Sequence, residues 1–136
     1  MSTVEPSAKK LRPRVLVVDD EESILFATRE YFEALGFEVH GARELEEAEA
    51  LLSHVTYSVV IADLRLTGIY GTEGLAMVAF VKERCPHTAI VLLTAYRTPQ
   101  AEAEARRLGV DSFVQKPKPL PDLAQIVFAL LDRRAQ

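Results

Sequence analysis

The chain has little cysteine, no long hydrophobic run and no strong excess of positive charge. Cys85 is the only cysteine among 136 residues, which excludes an internal disulfide and favours a reducing compartment. No apolar run approaches the length of a membrane span. The net charge of −4 argues against a nucleic-acid surface, since such surfaces are usually strongly basic. We therefore expect a cytoplasmic protein that binds neither membranes nor nucleic acid directly.

Two further patterns are missing. Residues 1–13 are polar and lack the apolar segment of a secretory signal, so we interpret them as a flexible tail. His40, His54 and His87 lie in different segments without the spacing of metal ligands. We interpret these histidines as surface or loop residues.

The remaining sequence has the character of one globular domain, predicted over residues 14–134. Hydrophobic residues make up 49% of the chain and charged residues 26%, a balance that is typical of soluble domains. Short apolar runs alternate with stretches of helical periodicity. The runs predict strands at Arg14–Val18, Phe37–Ala42, Ser58–Ala62, Ala89–Leu93 and Val110–Gln115. The periodic stretches predict helices at Ser23–Leu35, Glu44–Leu52, Leu75–Arg84, Pro99–Leu108 and Leu123–Arg134.

The alternation of strands and helices predicts an α/β fold with a parallel sheet covered by helices on both faces. Five strand–helix pairs in a chain of this length favour the flavodoxin-like, doubly wound sheet with strand order 2-1-3-4-5. In such sheets, ligands bind outside the carboxyl ends of the strands, near the point where the strand order reverses.

Polar residues follow several of the predicted strands at this edge. They are Asp19 and Asp20 after the first strand, Asp63 after the third, Thr94 at the end of the fourth and Lys116 after the fifth. An acidic pair or Asp63 taken alone could simply cap a helix. The occurrence of all five at one edge favours a functional site.

The chemistry of this set favours phosphoryl transfer. Three neighbouring carboxylates repel one another and require a compensating cation, for which Mg²⁺ with oxygen ligands is well suited. Lys116 can supply an internal positive charge, and the Thr94 hydroxyl can donate a hydrogen bond to a phosphoryl oxygen. These are the groups that an aspartyl-phosphate mechanism with Asp63 as nucleophile needs.

Four segments together resemble the receiver domain of two-component response regulators. They are VLVVDDEE, VVIADLRL, VLLTAY and SFVQKP, and the resemblance extends from Arg14 to Arg134. It implies that Asp63 is the phosphoacceptor, that Asp20 binds Mg²⁺ directly and that Asp19 acts through water. It also implies that the backbone carbonyl of Arg65 contributes to the metal site.

The resemblance assigns the remaining roles to three residues. Thr94 matches the switch hydroxyl, Phe113 the switch aromatic residue and Lys116 the phosphate-binding lysine, whose bond to Pro117 is expected to be cis. Such a domain is a phosphoacceptor switch rather than a turnover enzyme.

Two features near Asp63 differ from the family pattern. Thr67 stands where the family often has proline, and the loop Gly68–Gly74 is longer than usual. Arg65 and Tyr96 occupy positions that influence water access in this family, and because both are bulky, slow autodephosphorylation is expected.

The resemblance also implies partners. A sensor histidine kinase or a phosphotransfer protein would supply the phosphoryl group. The output would pass through the fourth helix, fifth strand and fifth helix, to a partner or to a second copy in a phosphorylation-dependent homodimer. The last helix offers Ile126, Val127, Leu130 and Leu131, of which some must pack on the sheet, and the set is broad enough to leave an apolar strip for a partner.

Two rival functions share features with this one. A phosphohydrolase of the haloacid dehalogenase type also uses an aspartyl nucleophile, but it needs a second Asp where this chain has Arg65. A receiver-fold interaction module without phosphorylation is the other rival, and the intact acidic and lysine positions argue against it.

Overall fold

A computed structural model of the protein describes residues 12–63, 72–95 and 97–135. In this part of the chain, strands and helices alternate. The strands are β1 (Arg14–Val18), β2 (Glu38–Ala42), β3 (Val59–Asp63), β4 (Ala89–Thr94) and β5 (Ser112–Gln115). The helices are α1 (Glu22–Ala34), α2 (Leu45–His54), α3 (Thr72–Arg84), α4 (Pro99–Leu108) and α5 (Leu120–Ala135).

The five strands form one parallel sheet in the order β2-β1-β3-β4-β5, which confirms the predicted topology. The central strands carry apolar side chains on both faces because helices cover both sides of the sheet. All five residues of β3 are buried, as are four of the five residues of β1. The strand order reverses between β1 and β3, which therefore flank the expected ligand site.

Two hydrophobic cores lie on opposite faces of the sheet. One contains Phe32 of α1 and Val127 of α5, and the other contains Leu52 of α2, Val78 of α3 and Ala105 of α4. Alternate residues of β1 serve the two cores, as the two-residue period of a strand requires. The sheet is thus fixed between two helical layers, and its carboxyl edge is positioned by both.

Two glycines end helices as the sequence predicts. Gly36 follows α1 with φ of 103°, and Gly109 caps α4 with φ of 105°. A residue with a side chain is strained in this left-handed region, whereas glycine is not. The N–H of Gly109 donates to carbonyls of the last turn of α4, which closes that helix.

Several predicted boundaries need correction, including the start of α3, which lies at Thr72 and not at Leu75. Asp63 is the last residue of β3 rather than the residue after it. β5 begins at Ser112, two residues later than predicted. Just before it, the N–H of Ile90 in β4 donates to the side-chain carboxylate of Asp111 at 2.8 Å and not to a backbone carbonyl of the next strand. α5 begins at Leu120, three residues earlier than predicted. Pro121 fits in its first turn because the N–H groups of that turn have no helical partner, so the N–H that proline lacks is not needed.

The interpretation of His40 as a surface or loop residue is also wrong. His40 lies in β2 and is half-buried, with Nδ1 2.7 Å from the Tyr57 hydroxyl and Nε2 3.0 Å from a Glu38 carboxylate oxygen. The side chain is held by two polar partners beside a buried tyrosine ring.

Most of the predicted tail, residues 1–11, lies outside the described residues. The guanidinium of Arg12 donates to the carbonyl oxygens of Gly36 and Phe37, and the carbonyl of Pro13 accepts the N–H of Glu38. Ordered contacts therefore begin at least two residues before β1. Within the described ranges, no helix is both long enough and apolar enough to cross a bilayer.

Candidate functional site

The sheet brings the predicted site residues to its carboxyl edge. The last residue of β1, Val18, pairs with Ala62 of β3, so that Asp19 and Asp63 follow from adjacent strands at the same level. Thr94, the last residue of β4, pairs with Gln115 of β5. The residues predicted from separate sequence segments therefore lie along one edge.

Asp63 and Lys116 form an ion pair across this edge. The ammonium Nζ of Lys116 donates to Oδ2 of Asp63 at 2.8 Å. The side chain of Asp63 is 2% exposed and that of Lys116 is 19% exposed. A carboxylate buried to this extent requires a partner of this kind, because desolvation disfavours the charged form. The peptide bond from Lys116 to Pro117 is cis, as predicted.

Asp19 is the second buried carboxylate of the site. Its Oδ1 accepts the N–H of Glu21 at 2.9 Å, and its own N–H donates to the carbonyl of Ala42 at 3.0 Å. Burial raises the pKa of Asp19, and the negative charges of Asp63 and Asp20 raise it further. The Glu21 N–H and the Lys116 ammonium act in the opposite direction. The raised pKa of Asp19 therefore reflects its burial first and the neighbouring carboxylates second.

Asp20 differs from its neighbour in being exposed to solvent. One carboxylate of the acidic pair is thus fixed inside the site, whereas the other borders it. Oxygen donors of this kind suit a hard cation such as Mg²⁺, which uses one or two carboxylates and completes its coordination with water. Among the described residues, no group of three His, Cys, Asp or Glu side chains is already arranged to hold a metal ion.

Thr94 lies at the end of β4 with its side chain buried. Its carbonyl accepts the N–H of Lys116 at 2.7 Å, which ties the end of β4 to the start of the segment that carries the lysine. The backbone therefore connects the predicted switch hydroxyl with the predicted phosphate-binding residue.

Phe113 is 5% exposed and belongs to the same hydrophobic core as Ala105 of α4. The guanidinium carbon of Arg97 lies 5.8 Å from the centre of its ring. Arg97 also forms two hydrogen bonds to Glu102, of 2.8 and 2.9 Å. Sequence reasoning missed Arg97, because nothing in its spacing to Phe113 indicates a contact.

A groove of about 320 Å³ opens beside the acidic site, between α1 and the segment after β5. Its walls are largely apolar and include Ile24, Ala27 and Leu123, while Asp19 and Lys116 lie at one side. A partner that reaches the carboxyl edge of the sheet can therefore contact both apolar and charged groups.

Two of the four apolar residues that the sequence offers on α5 pack against the sheet, and the other two are partly exposed. Val127 and Leu130 are buried against the sheet and do not belong to an exposed apolar strip. The exposed aromatic residue of α5 is Phe128, whose ring lies 5.4 Å from that of Phe37 on the α1 side.

Some predicted features lie outside the described residues. They are Arg65 with its carbonyl, Thr67 and Tyr96. Most of the loop Gly68–Gly74 lies outside them as well, although Gly74 itself belongs to α3.

The fold and the site together define a doubly wound α/β domain with an acidic centre at its topological switch point. A sequence profile described as the response regulator receiver domain matches residues 15–128. The chain therefore belongs to the response regulator receiver domain family, and its function is that of a phosphoacceptor receiver in two-component signalling.

The relatives include the response regulator protein PilR of Pseudomonas aeruginosa, which is 28% identical over 123 residues. That alignment covers 90% of this chain and 27% of PilR. Among several curated relatives, the chain spans between 22% and 53% of the other protein's length.

Solved structures show the same fold. A CheY-like receiver domain from Methanospirillum hungatei superposes with a TM-score of 0.86 at 24% identity, covering 91% of this chain and 97% of the other. A response regulator from Burkholderia pseudomallei, solved with a phosphorylated aspartic acid, a calcium ion and citrate, has a TM-score of 0.78 at 23% identity. It covers 89% of this chain and 69% of that chain.

Proposed function

We propose that Asp63 is the residue that accepts the phosphoryl group, supplied by a sensor histidine kinase or a phosphotransfer protein. The observation that carries this assignment is the buried ion pair of Asp63 with Lys116 at the carboxyl edge, next to the buried Asp19. Asp63 has the burial, the neighbours and the strand position that a phosphoacceptor in this fold needs. The phosphorylated aspartate of the Burkholderia pseudomallei protein supports the same chemistry on a similar fold.

In the proposed transfer, a carboxylate oxygen of Asp63 attacks the phosphorus of a phosphohistidine. The new phosphorus–oxygen bond forms as the phosphorus–nitrogen bond breaks, and the electron pair of that bond remains on the imidazole of the donor. The ammonium of Lys116 already contacts Asp63 and can form an ion pair with the phosphoryl oxygens after transfer. The Thr94 hydroxyl donates a hydrogen bond to one of these oxygens.

We propose that Asp19, Asp20, Asp63 and the backbone carbonyl of Arg65 hold Mg²⁺. When bound, the ion neutralises negative charge on the carboxylates and on the incoming phosphoryl oxygens. Asp19 illustrates the need for a cation, because its pKa is raised by burial and by the charges of Asp63 and Asp20. A cation relieves this repulsion directly.

Thr94 and Phe113 form the proposed switch. Phosphorylation of Asp63 would draw the Thr94 hydroxyl towards the phosphoryl group, and Thr94 and Phe113 would shift inward together and change the output face. The output would then appear on α4, β5 and α5, where a partner or a second copy of the chain binds. Exposed charges of α4 dominate this face, including Arg106 and Arg107.

Three further properties belong to the proposal. The domain extends over residues 14–134 and acts in the cytoplasm, with Cys85 as a free thiol. Its autodephosphorylation is slow, because Arg65 and Tyr96 are bulky at the positions that control water access. A longer protein that contains this domain would act as a response regulator, as PilR does.

Beryllofluoride, which mimics the phosphoryl group on a carboxylate, tests the proposal when added with Mg²⁺. The NMR spectrum of the wild-type chain should change around residues 94–113, and that of Asp63→Asn should not. Asp122→Asn, which changes an exposed carboxylate of α5, is the matched control and should respond like the wild type. An equal response of Asp63→Asn would contradict the assignment, whereas steady turnover of a generic phosphate ester would support the phosphohydrolase instead.

A further inference from the structure

Arg97 lies in the segment that joins β4, which ends at the proposed switch residue Thr94, to α4. It follows Thr94 by three residues, and its guanidinium carbon lies 5.8 Å from the centre of the Phe113 ring. This distance is within the range of a cation–π contact, in which the positive charge is attracted to the face of the ring. The side chain therefore covers an otherwise buried ring from the solvent side.

Glu102 of α4 fixes the orientation of Arg97. Its two carboxylate oxygens accept hydrogen bonds from Nε and Nη2 of Arg97, which gives a bidentate pair with defined geometry. Hydrogen bonds from Arg97 and Arg106 hold the pKa of Glu102 below its usual value, so the carboxylate remains charged at neutral pH. Movement of the guanidinium away from the Phe113 ring would therefore break these hydrogen bonds or move the Glu102 side chain with it.

Arg106 offers an internal comparison. It donates to the same Oε2 of Glu102 at 2.9 Å, and Glu102 is its only ion-pair partner in the described part of the chain. The two arginines thus share one carboxylate, and only Arg97 is recorded over the Phe113 ring. An effect that requires contact with the ring is expected from Arg97 alone.

We propose that Arg97 is a positioning residue that holds Phe113 in its buried position before phosphorylation, with Glu102 orienting the guanidinium. This role rests on the proposed function of Phe113 as the switch aromatic residue. In the proposed switch, phosphorylation favours the buried ring, so Arg97 shifts the unmodified domain towards the activated state. Less additional free energy from the phosphoryl group is then needed to complete the change.

Fluorine NMR of the full chain labelled with fluorophenylalanine tests this role. The Phe113 signal is assigned as the one that disappears in Phe113→Leu. Without any phosphoryl mimic, Arg97→Met should increase the solvent isotope shift of this signal, and Glu102→Gln should change it in the same direction. Arg106→Met is the matched control and should leave it unchanged.

The beryllofluoride concentration at half-conversion gives a second measurement. Arg97→Met should raise it by about threefold, the scale of an exposed cation–π contact, and should raise it no further in the Phe113→Leu background. An unchanged Phe113 signal in Arg97→Met, or an equal change in Arg106→Met, would overturn the role of Arg97. A wild-type chain that ignores beryllofluoride would instead refute the proposed function, while the Phe113 signal would still decide whether Arg97 positions the ring.

Discussion

The Nζ of Lys116 lies 2.8 Å from Oδ2 of Asp63, so that the residue after β5 reaches the last residue of β3 past the intervening strand β4. Asp63 is buried, and its charge would be costly without this partner. In the proposed function, the same contact places the ammonium group where negative charge would arrive during phosphoryl transfer. One ion pair therefore stabilises the buried carboxylate and, in the proposed function, prepares it for phosphoryl transfer.

Lys116→Met should lower the free energy of unfolding by about 2 kcal/mol at pH 7, because it leaves the Asp63 carboxylate buried beside Asp19 without its cation. Urea denaturation without Mg²⁺ measures this loss. Lys118→Met, which changes an exposed lysine nearby, should have little effect. Adding Asp63→Asn to Lys116→Met should recover most of the stability, and a double variant that is no more stable than Lys116→Met would contradict the explanation.

Asp19→Asn should stabilise the domain at neutral pH in the absence of Mg²⁺. Burial and the neighbouring carboxylates raise the pKa of Asp19, so the folded state binds its proton more tightly than the unfolded chain does. The stability that Asp19 contributes is thus present at low pH and is lost as the pH rises through the raised pKa. Asparagine avoids this loss because it stays neutral.

Unfolding curves of wild type and Asp19→Asn at several pH values check the sign. The variant should be the more stable protein at pH 7, and the difference should shrink as the pH falls towards the ordinary pKa of an aspartate. A difference that grows on acidification would show that Asp19 is stabilised in its charged form instead. Added Mg²⁺ should narrow the difference at pH 7 because it binds the wild type more tightly.

Thr94→Val should separate phosphorylation from the conformational response. Valine has a similar shape, so the buried position is filled, but the hydroxyl that is proposed to meet the phosphoryl group is lost. Hydrogen exchange with and without beryllofluoride should show that α4 no longer responds, although the mimic still binds. Thr98→Val is the control, since Thr98 caps α4 by accepting the N–H of Ala101.

That control should destabilise α4 by about 1 kcal/mol, the usual value of a helix cap, yet keep the response to beryllofluoride. If Thr94→Val also keeps the full response, the hydroxyl is not the switch group.

His40→Ala should destabilise the domain by about 1–3 kcal/mol, because the buried hydroxyl of Tyr57 loses its partner. In Tyr57→Phe the hydroxyl is already absent, so the same replacement of His40 should cost less. A double-mutant cycle followed by urea denaturation measures this coupling. His54→Ala, at an exposed position, is the control, and equal costs of His40→Ala in both backgrounds would exclude the coupling.

The fold was predictable because each strand and helix has its own local signal. The apolar strands, the glycines after α1 and α4 and the polar residues at strand ends all follow from short stretches of sequence. Asp63 and Lys116 could be placed on one edge, since a parallel sheet brings all its carboxyl ends together.

Contacts between side chains from distant segments could not be predicted in this way. His40 meets Tyr57 and Arg97 meets Phe113 only because of the directions that their side chains take in the folded domain. Neither spacing has a period that identifies a contact. In α5, by contrast, Val127 and Leu130 are buried at the helical spacing from Leu123 that predicts one apolar face, whereas the contact of the exposed Phe128 with Phe37 follows from no local pattern.

Identification of the phosphorylated residue tests the central claim most directly. The wild-type chain is treated with acetyl phosphate and Mg²⁺, the acyl phosphate is reduced with borohydride, and the modified residue is located by peptide mass spectrometry. Modification should occur at Asp63, require Mg²⁺ and be absent from Asp63→Asn. Modification at Asp19 or Asp20, or undiminished labelling of Asp63→Asn, would contradict the assignment of Asp63 as the phosphoacceptor.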